Sequence, residues 1–242
     1  MSKTMSMRAL YYLRNLSSRQ LFQALRRFCR GSVLDVGGWD FYESAQSRGV
    51  PFDSWTALDL SDKKPPTPTD PRIQFVVGDG CNISFADSQF DTVLSIQVVE
   101  HVFEPNRMVN ELSRVLKPGG HLIMLVPQTS TIHMVPHHYY NFTRFWILES
   151  MRRNGMEEVD LKPLGGVWRS MASHLVFFFL QSVRYPGMTS PESSRNLAFY
   201  LLFPFMVLFA LLAIPLCLLL SIGDLTEEAN NHLVVARKPQ DP

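Results

Sequence analysis

The sequence has few cysteines, and no two of them lie close enough in the chain to form a recognisable pair. Its 242 residues contain only Cys29, Cys81 and Cys217, with no CxxC motif. An odd number leaves one thiol over in any disulfide scheme, so a disulfide framework is excluded. No structural zinc site built on cysteine pairs is visible either. We therefore expect a protein of a reducing compartment.

The sequence also lacks net charge. Lysine and arginine number 23 against 22 aspartate and glutamate residues, and charged residues make up 19%, below the roughly 25% that is usual in soluble domains. The balanced total argues against a dedicated nucleic-acid binder, so no nucleic-acid partner is expected. The low charged fraction, together with 46% apolar residues, argues against disorder and indicates a concentrated apolar feature.

Acidic residues are absent from residues 1–30, which hold seven basic ones. The rest of the chain therefore has 16 basic against 22 acidic residues, a balance of minus 6. Residues 1–30 read as an imperfectly amphipathic helix. Three uses fit it: a membrane-surface helix, a helix packed ahead of the first strand, or a transit segment. Packing of residues 21–28 is the favoured interpretation.

Short apolar runs at residues 32–36, 55–60, 73–77, 92–96 and 121–126 predict buried parallel strands. A helix is predicted from Pro105 to Leu116, with proline in its first turn and a Lys-Pro-Gly-Gly stop after it. A sixth strand is expected near 156–161 and a last one at 232–237. Alternating strands and helices predict an α/β fold, a Rossmann-like doubly wound sheet.

Acidic residues and glycines stand where the first three strands end. The first strand leads into Asp35, Gly37 and Gly38, and the second ends at Asp59. The third strand leads into Gly78, Asp79 and Gly80. Because ligands bind at the carboxyl ends of strands in open α/β sheets, three acids at neighbouring strand ends predict a nucleoside site.

With these motifs the sequence resembles the class I S-adenosylmethionine-dependent methyltransferases, in particular those with a methyltransferase-11 type domain. The resemblance covers residues 32–158 and rests on LDVGG (34–38), ALDLS (57–61), VVGDG (76–80), FDTVLSIQVVEH (90–101) and NELSRVLKPGGHLIMLVP (110–127). It implies a sheet of about seven strands whose last strand is antiparallel, and S-adenosyl-L-methionine as the cofactor.

The resemblance also implies roles for individual residues. Asp35, Gly37 and Gly38 would lie by the methionine part of the cofactor, and Asp59 by its ribose. The adenine would be surrounded by Asp79, Gly80 and Cys81, and Gln97 would lie near the methionyl end. The family usually has glycines where this chain has Trp39 and Phe41, which leaves a non-catalytic binding protein as an alternative.

Methyl transfer depends mainly on positioning, so no conspicuous triad is required. If the acceptor is a hydroxyl, a histidine could take its proton, and the candidates on loops at the open end of the sheet are His101, His137 and His138. A metal set of His133, His137 and His138 is disfavoured because acidic partners are not evident, and no metal is expected.

Residues 196–223 contain no charged residue and, at about 1.5 Å each, exceed the roughly 30 Å thickness of the bilayer hydrocarbon. Because the resemblance assigns residues 232–237 to the sheet, a single crossing would separate them from it. Pro204 and Pro215 interrupt the segment, so we expect a bent hairpin that enters one leaflet and returns.

The expected organisation is a basic helical region (1–30), a methyltransferase core (31–165), an apolar insertion (166–230), and a last strand and tail (231–242). The favoured function is a membrane-associated methyltransferase with a cytoplasmic catalytic domain, acting on a lipid, a lipid-linked glycan or another small amphiphilic acceptor. Two alternatives remain open. One is a soluble small-molecule methyltransferase with an apolar cap, and the other is a non-catalytic, membrane-tethered binding protein that keeps the fold.

Overall fold

A computed structural model describes residues 18–61, 68–190 and 192–240. The strands are β1 (Ser32–Val36), β2 (Ser54–Asp59), β3 (Ile73–Val77), β4 (Phe90–Ile96), β5 (Leu116–Pro127), β6 (Glu157–Leu164) and β7 (Asn231–Arg237). The helices are α1 (18–28), α2 (Phe41–Ser47), α3 (Pro105–Val115), α4 (Arg144–Arg153), α5 (Val167–Ser182) and α6 (Leu197–Leu220).

The strands form one seven-stranded sheet in the order β3-β2-β1-β4-β5-β7-β6. Strands β1 to β5 pair in parallel, and β7 runs antiparallel to both β5 and β6. The predicted fold class is therefore confirmed. The chain order reverses between β1 and β4, and such a switch point opens a crevice at the carboxyl ends of the strands.

Alternate side chains of the strands enter two cores, one on each face of the sheet. On one face Val33 and Trp55 pack with α1 and α2. On the other, Leu34 and Leu122 pack with α3 and α4. This alternation follows from the period of two along a strand, and a sheet buried on both faces requires the near-continuous apolar runs of the sequence.

Helix α1 packs as expected. Its Leu21, Phe22 and Leu25 are buried in the core beside α2, while Arg26 and Arg27 are exposed. The Arg48 guanidinium lies 4.1 Å from the centroid of the Phe22 ring. The part of the predicted basic helix before residue 18 lies outside the described residues, as do residues 62–67 of the proline-rich connection.

Helices α5 and α6 form a hairpin inserted between β6 and β7. The Asp224 carboxylate, just after α6, accepts hydrogen bonds from the backbone N–H groups of Trp168 (2.8 Å) and Arg169 (3.0 Å) in the first turn of α5. Phe178 of α5 also contacts Phe203 of α6, with ring centroids 6.2 Å apart. The hairpin therefore leaves the sheet and returns to it at one place.

The expectation that Pro204 and Pro215 turn residues 196–223 back on themselves is wrong. Both prolines lie inside one continuous helix of 24 residues. Each removes only one backbone donor, whereas a turn inside this run would expose several backbone groups among apolar side chains. The return is made instead by residues between α5 and α6, among them 183–190 and 192–196, which contain the turn-forming glycine and serine residues that α6 lacks.

Candidate active site at the carboxyl ends of β1 to β5

A tight turn follows β1 at the switch point. Gly37 has φ +75°, and its N–H donates to the Leu58 carbonyl at 2.7 Å. A Cβ on Gly37 would lie 2.6 Å from the Val98 side chain, and one on Gly38 would lie 1.9 Å from the Asp35 carboxylate. Gly37 therefore has to be glycine for its backbone conformation and for space, and Gly38 has to be glycine for space.

Asp35 lies beneath this turn and is fully buried. Among the residues that the structure describes, neither of its carboxylate oxygens has a hydrogen-bond partner of good geometry. Burial raises its pKa to about 7, against an opposing influence of the nearby Trp55 indole, which lowers it. A buried carboxyl without a partner is costly, and a cationic or hydrogen-bond-donating ligand would satisfy it. This orphaned group fits the amino end of an S-adenosylmethionine molecule.

Trp39 and Phe41, which replace family glycines, have separate structural explanations. Trp39 adopts φ +43°, the left-handed conformation that glycine would otherwise supply. Its ring meets Phe75 of β3 edge-on, with centroids 5.8 Å apart. The Phe41 ring stacks on Phe22 of α1 at 5.8 Å. The loop thus keeps its left-handed turn, and Phe41 contributes to the core instead of crowding the crevice.

The structure places Asp59 and Asp79 at the ends of neighbouring strands. Asp59 Oδ1 accepts the Ser61 N–H at 2.9 Å, and Asp79 Oδ1 accepts the Cys81 N–H at 2.8 Å. These local bonds fix each carboxylate relative to its strand end. Cys81 is buried, and burial raises the pKa of its thiol. The side chain is therefore an apolar surface and a poor nucleophile.

Gln97 follows β4 with φ +59°, and its side-chain amide donates to Asn231 Oδ1 at 2.7 Å. Asn231 opens β7 and lies 134 positions further along the chain. The bond ties the end of β4 to the strand that follows the apolar hairpin. Sequence reasoning missed Asn231, because no local motif marks a residue that acts across the sheet.

The predicted catalytic histidines do not all meet. The rings of His101 and His138 lie together with a third ring, that of His133, which was not among the favoured candidates. The centroid distances are 4.8 Å for His101 to His133, 5.6 Å for His101 to His138 and 4.6 Å for His133 to His138. We refer to His101, His133 and His138 as the histidine cluster. Burial lowers the pKa of His101 and His138, which favours the neutral form of both imidazoles.

His137 contributes differently from the histidine cluster. Its backbone carbonyl oxygen lies 2.7 Å from His101 Nδ1, while its own ring is exposed and reaches the Tyr139 hydroxyl at 3.2 Å. The loop from 128 to 143 is held against the turn after β4, because the Tyr139 N–H donates to the Glu100 carbonyl at 2.9 Å. The loop from 128 to 143 and the turn after β4, which are distant in sequence, therefore lie side by side.

Glu100 is the second buried acid of the site. It is fully buried, and neither carboxylate oxygen has a hydrogen-bond partner within the described residues. Burial raises its pKa to about 8. Its Oε1 lies 3.8 Å from His101 Nε2. The adjacent Glu-His pair in the sequence was the only signal of its proximity to the histidines.

One cleft of the described residues lies elsewhere. It has a volume of about 500 Å³ and is lined by residues of α1, β6 and β7, including Arg19, Arg27, Asp160 and Lys162. It contains none of the strand-end acids or glycines. We place the candidate site at the switch point for two reasons. The glycines that the backbone requires lie there, and so does a buried acid without a hydrogen-bond partner of good geometry among the described residues.

Comparison with known proteins identifies a methyltransferase domain in the chain. Residues 41–124 match a family model described as a methyltransferase domain. Over 54 residues the chain is 41% identical to a demethylmenaquinone methyltransferase of Paenarthrobacter aurescens, covering 22% of this chain and 21% of that protein. Over 95 residues it is 33% identical to the mitochondrial ubiquinone biosynthesis O-methyltransferase of Dictyostelium discoideum, covering 32% and 30%.

Solved structures extend the fold match to nearly the whole chain. A methyltransferase solved in complex with the Trm112 activator of Haloferax volcanii aligns with a TM-score of 0.60 and 15% identity, over 95% of this chain and 93% of that one. The chain therefore contains a class I methyltransferase domain, the kind that uses S-adenosylmethionine, as its sequence predicted. The matches to the first curated relatives span only 18% to 30% of those proteins' length.

Proposed function

We propose that this chain is an S-adenosylmethionine-dependent methyltransferase that docks on a membrane through the α5–α6 hairpin. Its acceptor would be a lipid, a lipid-linked glycan or another small amphiphile. The observation that carries the proposal is an exposed helix without charged residues, α6, which is inserted in the chain between two strands of the sheet of a methyltransferase domain. The proposed division is a core at 31–165 with an apolar insertion at 166–230.

The cofactor would be held by residues of the switch point. Asp35 would meet the amino group of the methionine part, and Gly37 and Gly38 would let the backbone approach it. Asp59 would accept from the ribose hydroxyls. Asp79, Gly80 and Cys81 would surround the adenine, with Gln97, fixed by Asn231, at the methionyl end. When bound, the cofactor supplies an electrophilic methyl group.

The membrane part of the proposal rests on α6. Among the described residues, one helix, Leu197–Gly223, is long and apolar enough to cross a membrane by length and composition, and only 11% of its apolar window is buried. Exposed side chains surround it, including Leu197, Leu201, Phe205, Phe209, Leu212 and Leu219. A helix that is apolar on all sides requires a protein core or lipid around it.

The topology favours docking from one side. Both ends of the hairpin join the same sheet, so β6 and β7 lie on the same side of the membrane. Helix α5 carries the polar Arg169, His174 and Gln181, and the connection after it carries Arg184 and Arg195. We propose that α6 faces the acyl chains of one leaflet while α5 and the connection lie at head-group level. The three free and buried cysteines suit a catalytic domain on the cytoplasmic face.

The acceptor would enter beside the loop from 128 to 143. This loop exposes Tyr139 and Tyr140, whose amphipathic rings suit the boundary between a head group and an apolar body. Two relatives are named for quinones, which are lipid-soluble acceptors. For a hydroxyl acceptor, His101, His137 and His138 remain the proposed proton acceptors. His137 is the one whose ring is exposed outside the histidine cluster.

A labelled-methyl transfer assay on membrane lipid and glycolipid extracts tests the function. We expect label in an organic-soluble product with the wild type and none with Gly37→Val, where the added side chain would strike Val98. Transfer only to water-soluble acceptors would support the soluble alternative. Calorimetric titration with S-adenosylmethionine and its demethylated product addresses the other alternative, because absence of binding by either would remove the enzyme proposal.

Cysteine accessibility in sealed vesicles tests the docking mode. Single cysteines at Ser190 and Gln240, in a background with the three native cysteines replaced, should be labelled from the same side. Labelling from opposite sides would show that the hairpin spans the bilayer and would refute docking in one leaflet.

A further inference from the structure

The histidine cluster has the composition of a metal site. We propose that His101, His133 and His138 bind one divalent transition-metal ion of the zinc type. One ring nitrogen from each of the three lies within 4.8 Å of the others. Nothing in the methyltransferase resemblance requires this, and the inference does not depend on methyl transfer.

The ligand spacing is close to that of an ion-bound set. His133 Nδ1 and His138 Nδ1 are 3.1 Å apart, and nitrogens bound tetrahedrally at 2.0–2.1 Å are separated by about 3.3 Å. The widest spacing of 4.8 Å therefore has to close by roughly 1.5 Å to match that geometry. All three imidazoles belong to partly buried residues, so little solvent would have to be displaced.

The surrounding backbone already orients the rings. His101 Nδ1 faces the His137 carbonyl oxygen at 2.7 Å, which leaves Nε2 for an ion. A carbonyl partner of this kind sets the tautomer and direction of a metal-binding imidazole. His133 Nδ1, the nitrogen that lies 3.1 Å from His138 Nδ1, also lies 2.9 Å from the Thr131 carbonyl oxygen, and it would give up that contact when an ion binds. His138 Nε2 is buried without a hydrogen bond of good geometry among the described residues.

A carboxyl group completes the surroundings. Glu100 Oε1 lies 3.8 Å from His101 Nε2, and both Glu100 oxygens are buried without partners. A cation beside them would compensate this otherwise costly acid. Imidazole nitrogens select zinc, copper, nickel or iron over magnesium or calcium, which prefer oxygen ligands. Three histidines leave a fourth position for water, for Glu100 or for an acceptor oxygen.

His137 lies outside this set, because only its carbonyl oxygen supports His101. In the occupied site His101, His133 and His138 would hold the ion. Of the three histidines proposed as proton acceptors, only His137 would then keep its ring available to an acceptor proton.

Metal content of the purified full-length protein tests the site. After dialysis against Zn²⁺ and removal of free ion, we expect about one ion per chain. His138→Ala should weaken Zn²⁺ affinity at least about 100-fold, beyond the 10–100-fold that follows loss of an outer partner. His174→Ala, a histidine on α5 outside the cluster, serves as the matched control and should bind as the wild type does.

A second measurement uses the wild type alone, so a variant that fails to fold cannot obscure the result. Co²⁺ added to the protein should give the intense visible absorption of a four-coordinate site, and Zn²⁺ should abolish it. Less than about 0.1 ion per chain for Zn²⁺, Co²⁺ and Ni²⁺ would overturn the proposal. Unchanged Zn²⁺ affinity in a folded His101→Ala/His133→Ala/His138→Ala variant would also overturn it.

Discussion

Helices α3 and α6 lie in the same domain but meet their surroundings in opposite ways. Helix α3 buries one face, formed by Met108, Val109, Leu112 and Val115, against the sheet. Helix α6 is more than twice as long and buries only Ala210 and Cys217. The comparison teaches that the sheet supplies enough protein surface for an amphipathic helix, whereas an apolar hairpin needs a covering that the described part of the chain does not provide.

The largest expected effect is a loss of membrane binding when charged residues are placed on the apolar surface of α6. Phe205→Asp and Leu212→Asp each place a charge on an exposed apolar position, at about 3 kcal/mol or roughly 100-fold in membrane partitioning. Flotation with liposomes measures the loss. Asn110→Asp, on the exposed side of α3, is the matched control. Wild-type flotation of the double variant would mean that lipid does not cover α6.

Truncation of matched leucines sharpens the contrast between the two helices. Leu112→Ala in α3 empties a fully buried site and should lower the free energy of unfolding by about 2–5 kcal/mol. Leu208→Ala in α6, 57% exposed, should change it by less than about 0.5 kcal/mol. Urea denaturation in mild detergent reports both values. A large loss at Leu208 would indicate a protein partner surface on α6.

Cofactor binding should depend on the sheet and not on the hairpin. Asp59→Ala removes acceptors for the ribose hydroxyls and should weaken S-adenosylmethionine binding by about 1.5–3 kcal/mol. Calorimetric titration measures this, with thermal denaturation to verify the fold. The α6 variants should bind cofactor normally. Undiminished affinity in folded Asp59→Ala would remove the ribose assignment.

A further expected effect, confined to the protein without cofactor, is a pH dependence of stability set by Asp35. Because its pKa is raised from 3.8 to about 7, the folded state without cofactor holds a proton that the unfolded state has lost between these values. The contribution of Asp35 to stability should therefore fall as pH rises from 4 to 7 and level off above about 7, where folding no longer changes its protonation.

Asp35→Asn should abolish this contribution while weakening cofactor binding. At pH 8 the variant without cofactor should be more stable than the wild type by about 1–3 kcal/mol, because a buried charge without a partner is removed. Urea denaturation between pH 4 and pH 8 gives the profile. Glu100→Gln is the control for the second acid of raised pKa. A variant whose profile matches the wild type would show that Asp35 has a partner at every pH.

The sequence by itself determined the sheet, the carboxyl-end acids and the presence of an apolar insertion. These follow from local signals: apolar runs that suit buried strands, glycines and acids directly after them, and a stretch without charge. It also predicted the last strand, because residues 232–237 have the pattern of a buried strand and the family resemblance leaves a place for it in the sheet.

Only the tertiary structure decided which distant residues meet. His133 joins His101 across 32 positions and Asn231 supports Gln97 across 134 positions, and no short-range pattern records such distances. The prolines of α6 misled local reasoning because the helix continues through both of them, while Asp224 closes the hairpin at α5 instead. Side-chain proximity depends on how the sheet and its loops pack, and that information is distributed over the whole chain.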